Sequence, residues 1–367
     1  MNDLFFELIR VAIGNQVCLS HTPSVDEWRV LYAMAKKQSL LGICFAGVQK
    51  LRKKEQCPSE TLYLQWMGMA AKIQLRNEAV NRQCIALQKF LADGEMRSSI
   101  LKGQGVALCY GESLRELRQS GDIDVYVDCG RVKAIEYAHG IQNIVDWDYK
   151  HLHLKLFQDT EVEMHYVPEV FLNLKKNKKL QKWFKEHQDL MFTKQGEIVT
   201  PSVEFNAFYI LLHIYRHFMY EGVGMRQLMD LFYVLKTLSN SPLHSTNSGQ
   251  VPKENLKIAQ NAISELGMMR FANGVMWIML EVFGLEKENL LCDPDDKEGR
   301  YILREVMEGG NFGHHDERLK SDASGKVGAI KSILKHNLHL LIHYPSDVIW
   351  VPIWMLYHWC WKKSQRI

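Results

Sequence analysis

The segment Gly121-Asp122-Ile123-Asp124-Val125-Tyr126-Val127 admits few structures. Its β-branched run predicts a strand, in which residues i and i+2 share a face. Asp122 and Asp124 then project together, while Ile123, Val125 and Val127 bury on the opposite face. Two carboxylates held that close repel each other unless a cation sits between them. Hard oxygen ligands at a strand edge suit Mg²⁺, which also shares substrate phosphates. Gly121 leaves the backbone free to turn tightly or to approach a ligand. The plainer alternative is a polar strand start with both carboxylates in solvent. An isolated D-x-D, short and common, favours that plainer alternative, and the flanking segments shift the balance.

Upstream, Ser99-Ile100-Leu101-Lys102-Gly103-Gln104-Gly105-Val106 reads as a short apolar strand entering a glycine pair and then a helix. Such a junction presents backbone N–H groups at a helix N-terminus, an anion site, and Lys102 adds positive charge there. By itself Lys102 reads better as a solvated strand-end lysine. Downstream, His151–Phe157 and Glu161–Tyr166 both alternate polar and apolar residues around Gln158-Asp159-Thr160, which predicts a β-hairpin. Glu161, Glu163 and His165 share one face, so either acid can complete a three-carboxylate metal site beside the D-x-D strand.

Lys102-Gly103, Arg118 three residues before Gly121-Asp122-Ile123-Asp124, and Val162-Glu163-Met164-His165 together resemble a known group. It is the bacterial "uncharacterised nucleotidyltransferase" family of the polymerase-β-like superfamily. The likeness covers residues 96 to 170 best. It extends more weakly to His213–His217 and Gly224–Asp230. Two features depart from the superfamily pattern: the glycine motif is Lys-Gly rather than Gly-Ser or Gly-Gly, and it lies farther from the D-x-D. The resemblance implies Asp122, Asp124 and Glu163 as catalytic metal ligands, with two Mg²⁺ ions and an NTP co-substrate. It selects Glu163 over Glu161 through an acid-x-His pattern. It further implies Lys102, Gly103, Arg118, Gly121 and Arg226 as nucleotide-binding, with His165 and His213 behind the site.

Composition narrows the class. The chain has 367 residues and a formal net charge of only +3, less than a uniformly basic nucleic-acid-binding protein usually carries. Its eight cysteines form no C-x-x-C pair and read as reduced thiols of a cytoplasmic protein. The N-terminus lacks the features of a signal peptide, and no apolar run is long enough to span a bilayer. The expected architecture is α+β: a helical module over 1–95, a small mixed-sheet core over 96–170, and a helical module over 171–367 that closes the cleft. Ser24-Val25-Asp26-Glu27 is a capping box, and a long helical pattern follows Pro58. Further helices are expected at about 254–284 and 298–308, with loops at 239–249 and 309–315.

Other clusters have plainer readings. His213 and His217, at i and i+4, lack the glutamate of a zinc-protease helix and read as cleft-lining histidines. Arg226 and Asp230 read as a helix-face ion pair, with phosphate contact by Arg226 the alternative. Lys175 to Lys185 is a solvated basic face or, alternatively, a landing surface for a nucleic acid. Adjacent His314 and His315 belong to a surface loop. The aromatic tail Val348–Trp361 predicts a docked helix, with peripheral membrane contact the alternative. The expected activity is NMP transfer from an NTP to a small-molecule, saccharide or peptide-product acceptor with pyrophosphate release. The alternatives are a toxin-like enzyme modifying tRNA or protein, and an inactive scaffold of the same fold.

Overall fold

A computed structural model describes residues 2–51, 54–141, 144–239, 253–311 and 325–364. The chain is α+β, with seven strands among the described residues: β1 (Ser98–Leu101), β2 (Ile123–Val127), β3 (Ile144–Trp147), β4 (His151–Leu154), β5 (Val162–His165), β6 (Thr193–Gln195) and β7 (Ile198–Thr200). The first five form a mixed sheet in the order β1-β2-β5-β4-β3. Only β2 and β5 run parallel; the other neighbours are antiparallel.

Helices precede the sheet. The capping box is formed: the Ser24 hydroxyl accepts from the Glu27 N–H, and the Glu27 carboxylate accepts from the Ser24 N–H. This satisfies donors that a helix start leaves open. The 34-residue helix Glu60–Asp93 buries Trp66, Ala70, Ile73, Asn77, Val80, Cys84, Leu87 and Leu91, a stripe at three- and four-residue spacing. Trp66, Ala70 and Ile73 join one apolar cluster, and Val80 through Leu91 join another. Asn77 lies between them and donates to the carbonyls of Glu116 and Arg118, each at 2.6 Å. The helix thereby anchors the loop that leads into the D-x-D.

The alternation in the strands gives the sheet two unlike faces. Ile100, Ile123, Val125, Val127, Leu152, Leu154, Val162 and Met164 bury against Val80, Cys84, Leu87 and Leu91, and against Ala134 and Ala138 of the helix Gly130–Gly140. The other face carries Asp124, Glu163, His165, His151 and His153, and the helix Val203–Tyr220 covers part of it.

Several expectations need revision. The β4–β5 hairpin pairs 151–154 with 162–165, so its connection runs from Lys155 to Glu161 and is wider than a turn at 158–160. Strand β3 had no clear signal. The helix after Lys102 spans only Gly103–Ala107, too short to act as an anion-binding terminus. Gly105 is required there, because a Cβ would lie 2.5 Å from the Ile100 carbonyl oxygen and 2.3 Å from Thr200 Oγ1. The 254–284 pattern divides into Lys253–Glu265 and Met269–Glu281, separated by Gly267 at φ +63°. The helix expected at 298–308 lies within Asp296–Gly309. The loop expected at 239–249 falls almost wholly outside the described residues, as do His314 and His315.

The lysine-rich segment forms the helix Leu174–Glu186, capped by the Asn173 side chain and docked through Leu180, Trp183 and Phe184. Lys176 is paired with Asp347 at 2.7 Å. The aromatic tail forms the helix Trp350–Ser364. It docks through Val351 and through Trp354, whose ring packs edge-on to Tyr149 at 4.8 Å, and it leaves Ile353, Leu356, Tyr357 and Trp359 exposed. Among the described residues no helix is long and apolar enough to cross a membrane. All eight cysteines are free thiols.

Candidate active site

A cavity of about 420 Å³ opens on the polar face of the sheet. Register creates its acidic wall. Asp124 on β2 is directly opposite Glu163 on the parallel strand β5. Asp122, just before β2, and these two carboxylates each offer an oxygen, all within 4.8 Å of one another. Glu161 instead points to solvent, where it accepts from His153 Nδ1 at 2.8 Å.

Each carboxylate is electrostatically distinct. The negative charge of Asp124, together with partial loss of hydration, raises the Asp122 carboxyl from 3.8 to about 6. Asp124 is buried, which opposes its ionisation. Lys102 and His165 more than offset this, with Lys102 Nζ and His165 Nε2 at 2.7 and 2.9 Å from Oδ1, and hold it well below the usual range. Burial also disfavours charge on Glu163, yet the His165 contact at 3.4 Å brings it down to about 2. The lysine reaches Asp124 from an unusual backbone: Lys102 has φ +47°, ψ −149°, a region that L-residues rarely adopt. Gly103 follows at φ +36°.

The other expected residues take definite places. Lys102, Gly103, Arg118, Gly121, Asp122, Asp124, Glu163, His213 and Arg226 all line the cavity, and His165 lies buried behind the two strand carboxylates. Gly121 has open space where a side chain would go, so the protein itself does not demand glycine there. The ion pair expected between Arg226 and Asp230 is replaced by another. Arg118 grips Asp230 with Nε and Nη2, both at 2.7 Å, and Tyr110 donates to the same carboxylate at 2.7 Å. Arg226 instead donates to the Gln119 carbonyl at 2.9 Å, and so braces the loop before Asp122. His213 and His217 stack edge-on at 4.3 Å within the cavity lining. Among the described residues, neither belongs to a group arranged to hold a metal.

Sequence reasoning missed three further lining residues, Lys150, Arg216 and Glu221, whereas His217 lines the cavity as expected. Behind them lies Glu169, fully buried. Its Oε1 is 3.0 Å from Arg216 Nε and 3.5 Å from Lys150 Nζ, and its Oε2 is 3.5 Å from His213 Nδ1. Burial opposes charge on Glu169, but Lys150 and Arg216, with the His213 contact, hold its carboxyl well below the usual range. Burial likewise lowers Lys150 despite this partner. A single acid in the Pro168-Glu169 loop carries no periodic signal. Arg216 was visible only as part of the weaker C-terminal likeness.

An acidic triad and several cationic side chains line one cavity. The uncharacterised nucleotidyltransferase family profile matches residues 24–245, more than half of the chain, and the chain belongs to that family. Among solved structures, an antigenic nucleotidyltransferase-like protein from Paracoccidioides brasiliensis is similar at 13% identity. The match covers 51% of this chain and 88% of that one, and its TM-score of 0.31 is too low to bear on function. No curated protein matches the chain in sequence.

Proposed function

We propose that this nucleotidyltransferase-family chain transfers a nucleoside monophosphate from an NTP to a small acceptor and releases pyrophosphate. The observation that carries this reading is the placement of Asp122, Asp124 and Glu163 within 4.8 Å of one another in a cavity of small-molecule size. The mutual repulsion that raises the Asp122 carboxyl fits a site for divalent cations. These three residues would hold Mg²⁺, which supplies charge neutralisation on the triphosphate when bound. Lys102 and Arg226 line the same cavity and would contact phosphate oxygens. Lys150 and Arg216 also line the cavity, are held by Glu169, and would serve the acceptor. His165 donates to Asp124 and holds it aligned with Glu163.

A small acceptor fits the cavity better than a macromolecule fits the lysine helix. Lys176 is already paired with Asp347, and the apolar side of that helix is spent on the core. The test is a screen of the four NTPs with MgCl₂, read by thermal shift and by pyrophosphate release over a panel of hydroxyl and phosphate acceptors. A Mg²⁺-dependent shift with one NTP, lost in Asp122→Asn, is expected. No stabilisation by any NTP at millimolar concentration overturns the reading.

A further inference from the structure

The sheet face beside the acidic triad carries three histidines, and their hydrogen bonding leaves one lone pair opposed to a carboxylate. The chain of contacts starts at the rim. Glu161 accepts from Nδ1 of His153 at 2.8 Å. Nε2 of a neutral His153 is then a lone pair, and it lies 3.2 Å from His151 Nε2. His151 must therefore donate from Nε2, which leaves its Nδ1 bare. That Nδ1 is buried with no hydrogen-bond partner and lies 3.9 Å from Glu163 Oε2. An imidazole lone pair and a carboxylate oxygen thus face each other across a gap too long for a hydrogen bond. His165 Nε2 stands 3.4 Å from the same oxygen.

We propose that His151, Glu163 and His165 form a second metal site, for a borderline divalent ion of the Zn²⁺ type, that shares Glu163 with the acidic triad. One ligand atom from each of the three residues lies within 4.8 Å of the others. Ligands bonded at about 2.1 Å to one ion lie no more than about 4.2 Å apart. The separations of 3.4 and 3.9 Å from Glu163 Oε2 meet that limit. Two imidazoles and one carboxylate favour a transition ion over Mg²⁺, which takes oxygen ligands. On the His151 side the outer contacts are those of a built site. His151 donates its second nitrogen to His153, which donates to Glu161, a relay that fixes ring orientation and raises ligand basicity. When His165 Nε2 turns to the ion, Asp124 Oδ1 keeps Lys102 at 2.7 Å and is not left unpaired. Cross-strand register supplies the geometry: His151 is paired with His165, and His153 with Glu163.

The inference shares Glu163 and His165 with the proposed nucleotide site but needs no nucleotide chemistry, so it is tested on the nucleotide-free full chain. Calorimetric titration with ZnCl₂ and MgCl₂ is compared between wild type and His151→Ala. The expected result is tighter binding of Zn²⁺ than of Mg²⁺, and loss of that preference in His151→Ala. His153→Ala, which keeps the ligands but cuts the relay, is expected to weaken Zn²⁺ about tenfold. This second variant decides the matter if His151→Ala fails to fold by circular dichroism. Zn²⁺ affinity unchanged in the folded variants overturns the site. Absence of NTP turnover would refute the proposed function and leave this result standing.

Discussion

Asp124 and Glu163 are direct register partners on the parallel strands β2 and β5, and Nε2 of His165 lies within 3.4 Å of both carboxylates. Residues 39 positions apart in the chain are thus set side by side by backbone pairing. A one-residue slip of β5 would turn Glu163 into the apolar core, so the core side chains Val162 and Met164 enforce the pairing of the acids.

Asp124→Asn and Glu163→Gln should each lower nucleotide transfer by about a hundredfold or more, the usual loss when a charge-stabilising group is removed from a site. Glu161→Gln should retain activity within severalfold, since its carboxylate lies at the rim on His153. Steady-state pyrophosphate release checks all three. Full activity in Glu163→Gln would remove it from the triad.

Asp122→Asn should abolish transfer and yet stabilise the metal-free fold. The Asp122 carboxyl is raised from 3.8 to about 6 by Asp124 and by lost hydration, so folding disfavours its charged form. The cost is absent below pH 4, grows as pH rises from about 4 to 6, and is constant above that. Thermal melts in chelator should therefore coincide for wild type and variant at pH 4. Above pH 6 the variant should melt higher. A variant less stable at pH 7 would contradict the repulsion.

Arg118→Ala should act first on stability. It leaves Asp230 charged, buried and short of two hydrogen bonds. Removing one partner of such a pair costs about 3–5 kcal/mol. Urea denaturation should show the loss. Replacing Arg118 and Asp230 together by Met and Leu should recover part of it, because no unpaired charge then remains.

Changing Lys175, Lys178, Lys182 and Lys185 to Gln should alter turnover by less than about twofold, as exposed charges contribute little to the fold. Fluorescence anisotropy with tRNA over a salt series provides the contrary arm. Tight, salt-steep binding by wild type that flattens in the variant would favour a nucleic-acid acceptor.

What the linear chain determined is the local chemistry. Period-two alternation placed Asp122 and Asp124 on one face, the Ser24–Glu27 pattern marked a helix start, and strand alternation put Glu163 with His165. Each of these is a short-range effect, in which a residue's neighbours set its direction. Tertiary structure alone decided which charges meet. Asp230 pairs with Arg118 across 112 residues rather than with Arg226 one turn away, because burial of its carboxylate requires two fixed donors that a bidentate guanidinium supplies. Glu169 became the buried anchor of Lys150 and Arg216 in the same way. Which of Glu161 and Glu163 meets the D-x-D was likewise set by register between strands, a hydrogen-bonding relation that alternation within one strand cannot express.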